Sequence, residues 1–218
     1  MPLLVHGEEA DPEIDIFDRE GAFIDRVLSD WMTRDYPELK IVLEHITTKD
    51  GADFVQQAGS NIGATVTPHH LVINRNDILA GGIRPHLYCL PIAKREKHRK
   101  ALRDALASGD QSFFLGTDSA PHPINAKETD CGCAGIFNVP NAIEIYANVF
   151  EEMDALEHFE GFASLNGPNF YGLEANSINL TLERSSQTVI DDIVIADGSD
   201  SIRPFLAGEN INWSVIKN

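Results

Sequence analysis

The 218-residue sequence has few cysteines and no long apolar run. Three cysteines, an odd and sparse set, argue against a disulfide framework and for a reducing compartment, so we expect a cytoplasmic protein. No stretch approaches the roughly 18 consecutive apolar residues of a transmembrane helix. Residues 1–8 contain neither a basic region nor a long apolar core, so we expect no signal peptide.

Basic residues are also scarce, because 17 lysines and arginines face 34 aspartates and glutamates, for a formal charge of -17. Such a surface repels phosphates, which argues against nucleic acid and against anionic membranes as partners. It does not exclude an anionic small-molecule substrate, because a buried metal pair dominates the field in its own site.

Four short apolar runs stand out along the first 150 residues, each followed by a segment with helical spacing or capping signals. Short apolar strands that alternate with helices predict a parallel sheet covered by helices. The predicted strands lie at 3–5, 41–43, 63–67 and 113–116, and the predicted helices at 15–31, 48–58, 91–108 and 141–152.

The pattern changes after residue 150. A short helix is predicted at 159–170, with a turn at Gly167 and Pro168, and residues 178–216 indicate short β segments with a turn around Asp197 and Gly198. The one basic cluster, residues 94–100, is predicted to be the solvated face of a helix.

Metal-capable residues stand at the ends of three predicted strands: His6, His45 and Asp118. Parallel strands gather their carboxyl ends on one face, so these residues should converge there, where imidazole and carboxylate suit zinc. The alternative is that each is an isolated, hydrogen-bonded residue. The third strand ends in the adjacent pair His69 and His70. Adjacent residues of a strand point to opposite faces, so we expect their two rings to be separated.

Several motifs resemble bacterial dihydroorotase of the single-domain type. They are MPLLVHGE at 1–8, LEHITTK at 43–49, TPHHL at 67–71, RPHLYCLP at 84–91, LGTDSAPH at 115–122, DCGCAG at 130–135, NGPNFYG at 166–172 and PFLAGE at 204–209. The resemblance implies a TIM barrel of the amidohydrolase group, a homodimer with two zinc ions per site. It also implies the interconversion of L-dihydroorotate and N-carbamoyl-L-aspartate in pyrimidine synthesis.

The same resemblance assigns roles to single residues. His6 and His45 correspond to ligands of the second zinc, and Asp118 to a ligand of the first that also serves as general base and acid. Three further residues correspond to substrate contacts: His122 to the carboxylate, Leu90 and Ala134 to the ring or carboxylate. The pair Cys131 and Cys133 then shapes the loop around Ala134, although half of a metal clip is the alternative.

Other parts of the family pattern are missing from this sequence. It contains no His-x-His pair. It also lacks the features that the family places on strands one to four: the carboxylated lysine that bridges both metals, the arginine and asparagine that grip the substrate carboxylate, and the threonine-bearing loop. We therefore expect one partial domain, residues 1–218, an incomplete (β/α)8 TIM barrel. Strands five to eight with their helices fill 1–150, and a helix with a short β and turn extension fills 151–218.

We expect such a chain to be inactive alone, to bind metal poorly and to associate through its open barrel edges. Two alternatives stay open. One is a non-catalytic half-barrel relic or interaction module, and the other is a different metallohydrolase of the same superfamily.

Overall fold

A four-stranded parallel sheet forms the centre of the structure, a computed structural model that describes residues 1–195 and 198–216. The strands stand side by side in chain order, and their parallel pairing is what the alternating sequence pattern predicted. They are β1 (Leu3–His6), β2 (Ile41–Glu44), β3 (Ile62–Val66) and β4 (Phe113–Leu115). In this register His6, the last residue of β1, is paired with Glu44, the last residue of β2.

Between β1 and β2 the chain is helical in three consecutive pieces: α1 (Arg19–Phe23), a π-helical segment (Ile24–Met32) and α2 (Thr33–Asp35). The predicted start at residue 15 was wrong. The Asp15 side chain accepts a hydrogen bond from the Phe17 backbone, which holds a turn there instead. The helix after β2 was predicted well: α3 (Lys49–Gln57) has Thr48 as its N-cap, which accepts from the Gly51 amide.

The crossover from β3 to β4 contains α4 (Pro68–Val72), α5 (Arg75–Leu79), a 3-10 turn (Pro85–Leu87) and α6 (Glu96–Ala107). A long loop followed by a helix from residue 91 had been predicted. The prediction that the rings of His69 and His70 are separated was also wrong. Thr67 caps α4 and Pro68 opens it, so His69 and His70 lie on a helix with ring centroids 4.4 Å apart.

The basic cluster at 94–100 is not wholly a solvated face. Lys94 and His98 are buried. Lys94 donates to the Ile92 carbonyl, and His98 Nδ1 accepts from the Lys49 amide. Both side chains therefore help to hold α6 and the segment before it against the rest of the molecule.

After β4 come α7 (Ile124–Lys127), α8 (Ala142–Glu152) and α9 (Asn166–Tyr171), with 3-10 turns at Val139–Asn141 and Leu156–His158 and a π-helical turn at Gly161–Leu165. Gly167 and Pro168 lie inside α9, so the predicted turn there was wrong: proline is tolerated in a first helical turn.

Short β segments were predicted in the last part of the chain, and among its described residues six short strands form antiparallel pairs. They are β5 (Leu182–Glu183), β6 (Gln187–Thr188), β7 (Ile193–Ile195), β8 (Asp200–Ile202), β9 (Asn210–Ile211) and β10 (Ser214–Val215). Of the turn predicted around Asp197 and Gly198, Asp197 falls outside the described residues.

The main core lies around the sheet. Most of β2 and all of β3 are buried, which explains their continuous apolar sequence. Helix side chains such as Leu102, Tyr146 and Phe150 pack into the same core. Among the described residues, no helix is long and apolar enough to cross a membrane. The core fixes the strands, so the residues at their carboxyl ends have fixed positions.

Candidate functional site

Two histidine rings meet at the carboxyl end of the sheet. His6 ends β1, and His45 directly follows the last residue of β2. Nδ1 of His6 lies 3.2 Å from Nε2 of His45, and the rings pack edge to face. The predicted convergence of these two residues is therefore present in the structure.

His45 and Asp118 share an unusual backbone conformation, with φ angles of 41° and 42°. Residues other than glycine rarely adopt this left-handed region, and such residues concentrate at functional sites. Thr65 holds the His45 backbone: its Oγ1 accepts from the His45 amide at 2.6 Å and donates to Glu44 at 2.8 Å. Neighbouring strands thus impose the turn that directs the His45 ring.

A buried carboxylate supports the loop after His45. Glu20, on α1, is 1% exposed and accepts four hydrogen bonds, from the backbone amide and the hydroxyl of both Thr47 and Thr48. Because Thr48 also caps α3, Glu20 connects α1, the loop that carries His45 and the start of α3.

Behind His6 stands a second carboxylate. Glu8 Oε2 lies 3.3 Å from Nε2 of His6, and Glu8 Oε1 lies 3.5 Å from Nζ of the buried Lys94. A carboxylate at Nε2 favours the tautomer that carries its proton there, which leaves the Nδ1 lone pair facing His45. Neither Glu8 nor Glu20 was identified from the sequence as part of the site. The only available signal for Glu8 was its position two residues after a strand-end histidine.

The local electrostatics differ between the two rings. The hydrogen bond to Glu8 raises the pKa of His6, whereas burial lowers the pKa of His45 to about 4. His45 is therefore neutral near pH 7, as a metal ligand must be. Asp118 is exposed, and desolvation by the surrounding protein still raises its pKa. The charge of Asp118 contributes to the raised pKa of His6, so Asp118 acts on the same site.

The spacing of the two nitrogens fits one zinc ion. Two imidazole nitrogens bound at about 2.0–2.1 Å to a tetrahedral zinc lie about 3.3 Å apart. The distance of 3.2 Å between His6 Nδ1 and His45 Nε2 matches this. Among the described residues, Asp118 does not form a group of three metal-capable side chains with these two histidines, and it acts on His6 through its charge. A catalytic zinc takes about three protein ligands. These residues can therefore hold part of a metal shell.

The three predicted substrate contacts lie on segments that hydrogen bonds connect. His122 Nε2 donates to the Ala134 carbonyl at 3.1 Å. The next residue, Gly135, donates its amide to the Tyr88 carbonyl at 3.0 Å, which ties this loop to the one that carries Leu90. Leu90 is 37% exposed and precedes a cis bond to Pro91.

A separate buried group, His69, His70 and Cys89, also has metal-capable atoms close together. This group was not identified from the sequence. Two of its members already donate to the Pro91 carbonyl, His70 from Nε2 and Cys89 from its thiol. Burial lowers the pKa of His69 to about 3 and raises that of Cys89 to about 12. The hydrogen bonds of His70 and Cys89 to the Pro91 carbonyl favour a hydrogen-bonded core. Nε2 of the buried His69 has no hydrogen-bond partner among the described residues.

The paired cysteines of the DCGCAG loop are free thiols, Cys131 exposed and Cys133 partly buried. Within the described part of the chain, neither belongs to a group of three metal-capable side chains. The carbonyl of Cys133 accepts a hydrogen bond from Lys127, so its backbone has a structural role in the loop.

A model of the amidohydrolase family matches residues 1–180. The chain belongs to the amidohydrolase family. Like other members, it carries a parallel sheet within an α/β fold, with the candidate metal ligands at the carboxyl end of that sheet.

Individual amidohydrolases resemble the chain over nearly its whole length. It is 59% identical over 215 residues to a dihydroorotase from Yersinia enterocolitica, a match that covers 99% of this chain and 61% of the relative. A Saccharomyces cerevisiae dihydroorotase, solved in complex with 5-fluoroorotic acid, is 36% identical with a TM-score of 0.88, covering 99% of this chain and 63% of that one. A Campylobacter jejuni dihydroorotase is 35% identical with a TM-score of 0.87, covering 100% and 61%.

The chain therefore spans about 61% of the length of the curated relatives that it matches. The resemblance noted in the sequence is confirmed at the level of similarity to dihydroorotases. The roles of the individual site residues remain predictions.

Proposed function

We propose that this chain provides the C-terminal part of a zinc-dependent dihydroorotase, which reversibly hydrolyses L-dihydroorotate to N-carbamoyl-L-aspartate in pyrimidine synthesis. The observation that carries the proposal is the approach of His6 Nδ1 to His45 Nε2 at 3.2 Å, in a chain 59% identical to a dihydroorotase. Neither ring needs to move far to share one ion.

The proposed reaction assigns distinct tasks to the described side chains. His6 and His45 would hold the second of two zincs, and Asp118 would be a ligand of the first. Zinc, when bound, polarises the ring carbonyl and lowers the pKa of water. Asp118 takes a proton from the attacking water and returns it to the ring nitrogen as the carbon–nitrogen bond breaks. A positioned carboxylate can act first as general base and then as general acid.

The substrate is held beside these residues. His122 binds the carboxylate, while Leu90 and Ala134 contact the ring or the carboxylate, partly through backbone groups. The cluster formed by the His122–Ala134 and Gly135–Tyr88 hydrogen bonds supports this assignment.

The architecture proposed for the chain is a single partial domain, strands five to eight of a (β/α)8 barrel followed by the extension at 151–218. The 61% coverage of relatives supports it. The His-x-His pair, the bridging lysine and the carboxylate-gripping residues then come from the segment that supplies the first four strands. One edge of β1 and one edge of β4 are available for that association. The completed barrel then forms a homodimer, which we place in the cytoplasm.

The test is complementation. The chain is mixed with a separately produced segment that corresponds to the first 39% or so of a full-length relative, and ring opening of L-dihydroorotate is followed with and without zinc. We expect turnover only when both pieces and zinc are present.

A matched mixture that contains His45→Ala shows whether turnover uses this site. Absence of turnover in a mixture that forms a stable stoichiometric complex would contradict the proposal and favour a non-catalytic interaction module. Turnover of another cyclic amide in place of dihydroorotate would favour a different metallohydrolase.

A further inference from the structure

Lys127 is a buried lysine that the proposed reaction does not use. It ends α7 and is 3% exposed. Its Nζ donates to three backbone carbonyls, those of Tyr88 at 2.8 Å, Cys133 at 2.6 Å and Gly135 at 2.8 Å. An ammonium has three hydrogens, so every donor of this group is used on backbone oxygens.

Those carbonyls belong to the two loops that carry predicted substrate contacts. Cys133 and Gly135 flank Ala134, and Tyr88 lies two residues before Leu90. The Ala134 carbonyl is itself taken by His122, so three consecutive carbonyls, 133 to 135, accept hydrogen bonds from side chains of the 118–127 segment. The ammonium also lies 5.8 Å from the centroid of the Tyr88 ring.

Keeping a charge in this position is costly. Burial lowers the pKa of Lys127 to about 8. Three charge-assisted hydrogen bonds offset that cost, and a neutral side chain of the same length would leave three carbonyls without their donor. The arrangement therefore depends on a charged ammonium group, and on the three carbonyls meeting at that one nitrogen.

We propose that Lys127 is a positioning residue that sets the separation between Leu90 and Ala134, and so shapes the pocket for the substrate ring and carboxylate. This role rests on the proposed function. Lys127 itself touches neither the reacting atoms nor a metal ligand in this assignment. It acts through the backbone of the two loops.

The test uses Lys127→Met in the complemented protein, with Lys40→Met as the matched control. Lys40 also donates to a backbone carbonyl, that of Phe170, but it stands at the amino end of β2. We expect the Leu90 and Ala134 contacts to be equally strong in the ground state and the transition state, so KM for dihydroorotate should rise about tenfold with kcat changed less than about threefold. The control should change neither.

Hydrogen exchange on the 218-residue chain gives a readout that needs no activity. In Lys127→Met, amides at 132–136 and 88–90 should exchange faster, whereas those of β2 stay unchanged. Should this variant not fold, Lys127→Arg keeps the charge but cannot converge three N–H groups on one point, and it should show the same KM effect at smaller amplitude.

Two outcomes would overturn the proposal: an unchanged KM, even with faster loop exchange, or a loss confined to kcat. If the parent mixture shows no ring opening, the proposed function fails on its own. The exchange measurement then decides whether Lys127 holds the two loops together: unchanged protection of both loops overturns this, and a loss of protection confined to them supports it.

Discussion

Nδ1 of His6 lies 3.2 Å from Nε2 of His45, although 39 positions separate them in the sequence. Parallel pairing of β1 with β2 brings the strand ends together, and the left-handed turn at His45 directs its ring toward His6. The carboxylate of Glu8 on the far side of His6 completes a line from Lys94 to His45. The structure thus contains both a pair of candidate ligands and the groups that orient them.

Glu8 should control metal affinity. Glu8→Gln removes the charge that fixes the His6 tautomer, and outer partners of ligating histidines are worth about 10–100-fold in metal affinity. We expect zinc affinity of the complemented protein, measured by competition with a chelator, to fall by about tenfold or more. Glu9→Gln is the control, since the Glu9 carboxylate accepts from the Ala10 amide instead. Equal affinities in the two variants would remove Glu8 from the site.

Glu20 should matter for stability. Glu20→Gln replaces an acceptor of four hydrogen bonds with a group that presents a donor to the amides of Thr47 and Thr48. A loss of about 1.5–3 kcal/mol in the free energy of unfolding is expected from hydrogen bonds to a charged group. Urea denaturation of the chain measures it, with the exposed Glu13→Gln as the control. Equal stability of both variants would show that the Thr47–Thr48 loop does not depend on this carboxylate.

Asp118→Asn should separate chemistry from folding. Asparagine tolerates the left-handed conformation found at Asp118, with φ at 42°, so stability should stay within about 0.5 kcal/mol. The amide cannot accept the proton of water, so turnover should fall by about 100-fold or more. Thermal melting and ring-opening rates check the two halves. Substantial turnover by this variant would assign the proton transfer to another group.

Acid should destabilise the chain through its buried histidines. His69 has a pKa of about 3 when folded and about 6.5 when unfolded, so the unfolded state binds more protons between these values. Stability is retained above about pH 6.5 and falls with acidification, by about 1.4 kcal/mol per pH unit for each such histidine. Asp118 and Glu44, with raised pKa values, oppose this trend near the acid end.

The contribution of His69 can be isolated by comparing unfolding free energies of parent and His69→Gln at pH 6.5 and pH 5. The parent should lose more stability than the variant over this interval. His158→Gln, in the 3-10 turn Leu156–His158, controls for the simple loss of a histidine. Parallel pH profiles of parent and His69→Gln would contradict the burial argument.

The sequence allowed the parallel sheet and its strand-end residues to be predicted, because apolar runs and strand order depend on local patterns. It did not allow Glu8 and Glu20 to be found, since their roles depend on tertiary contacts: Glu8 pairs with Lys94, and Glu20 accepts hydrogen bonds from Thr47 and Thr48. His69 and His70 were misplaced for a local reason: Thr67 and Pro68 start a helix where a strand had been extended. Lys94 was misjudged because a run of basic residues does not reveal which member faces a buried carboxylate.

An anomalous difference map at the zinc edge, from crystals of the complemented protein, tests the central assignment most directly. We predict a metal peak bonded to both Nδ1 of His6 and Nε2 of His45, with Asp118 facing the same site. A zinc peak at His69, His70 and Cys89, or one that touches neither His6 nor His45, would contradict it.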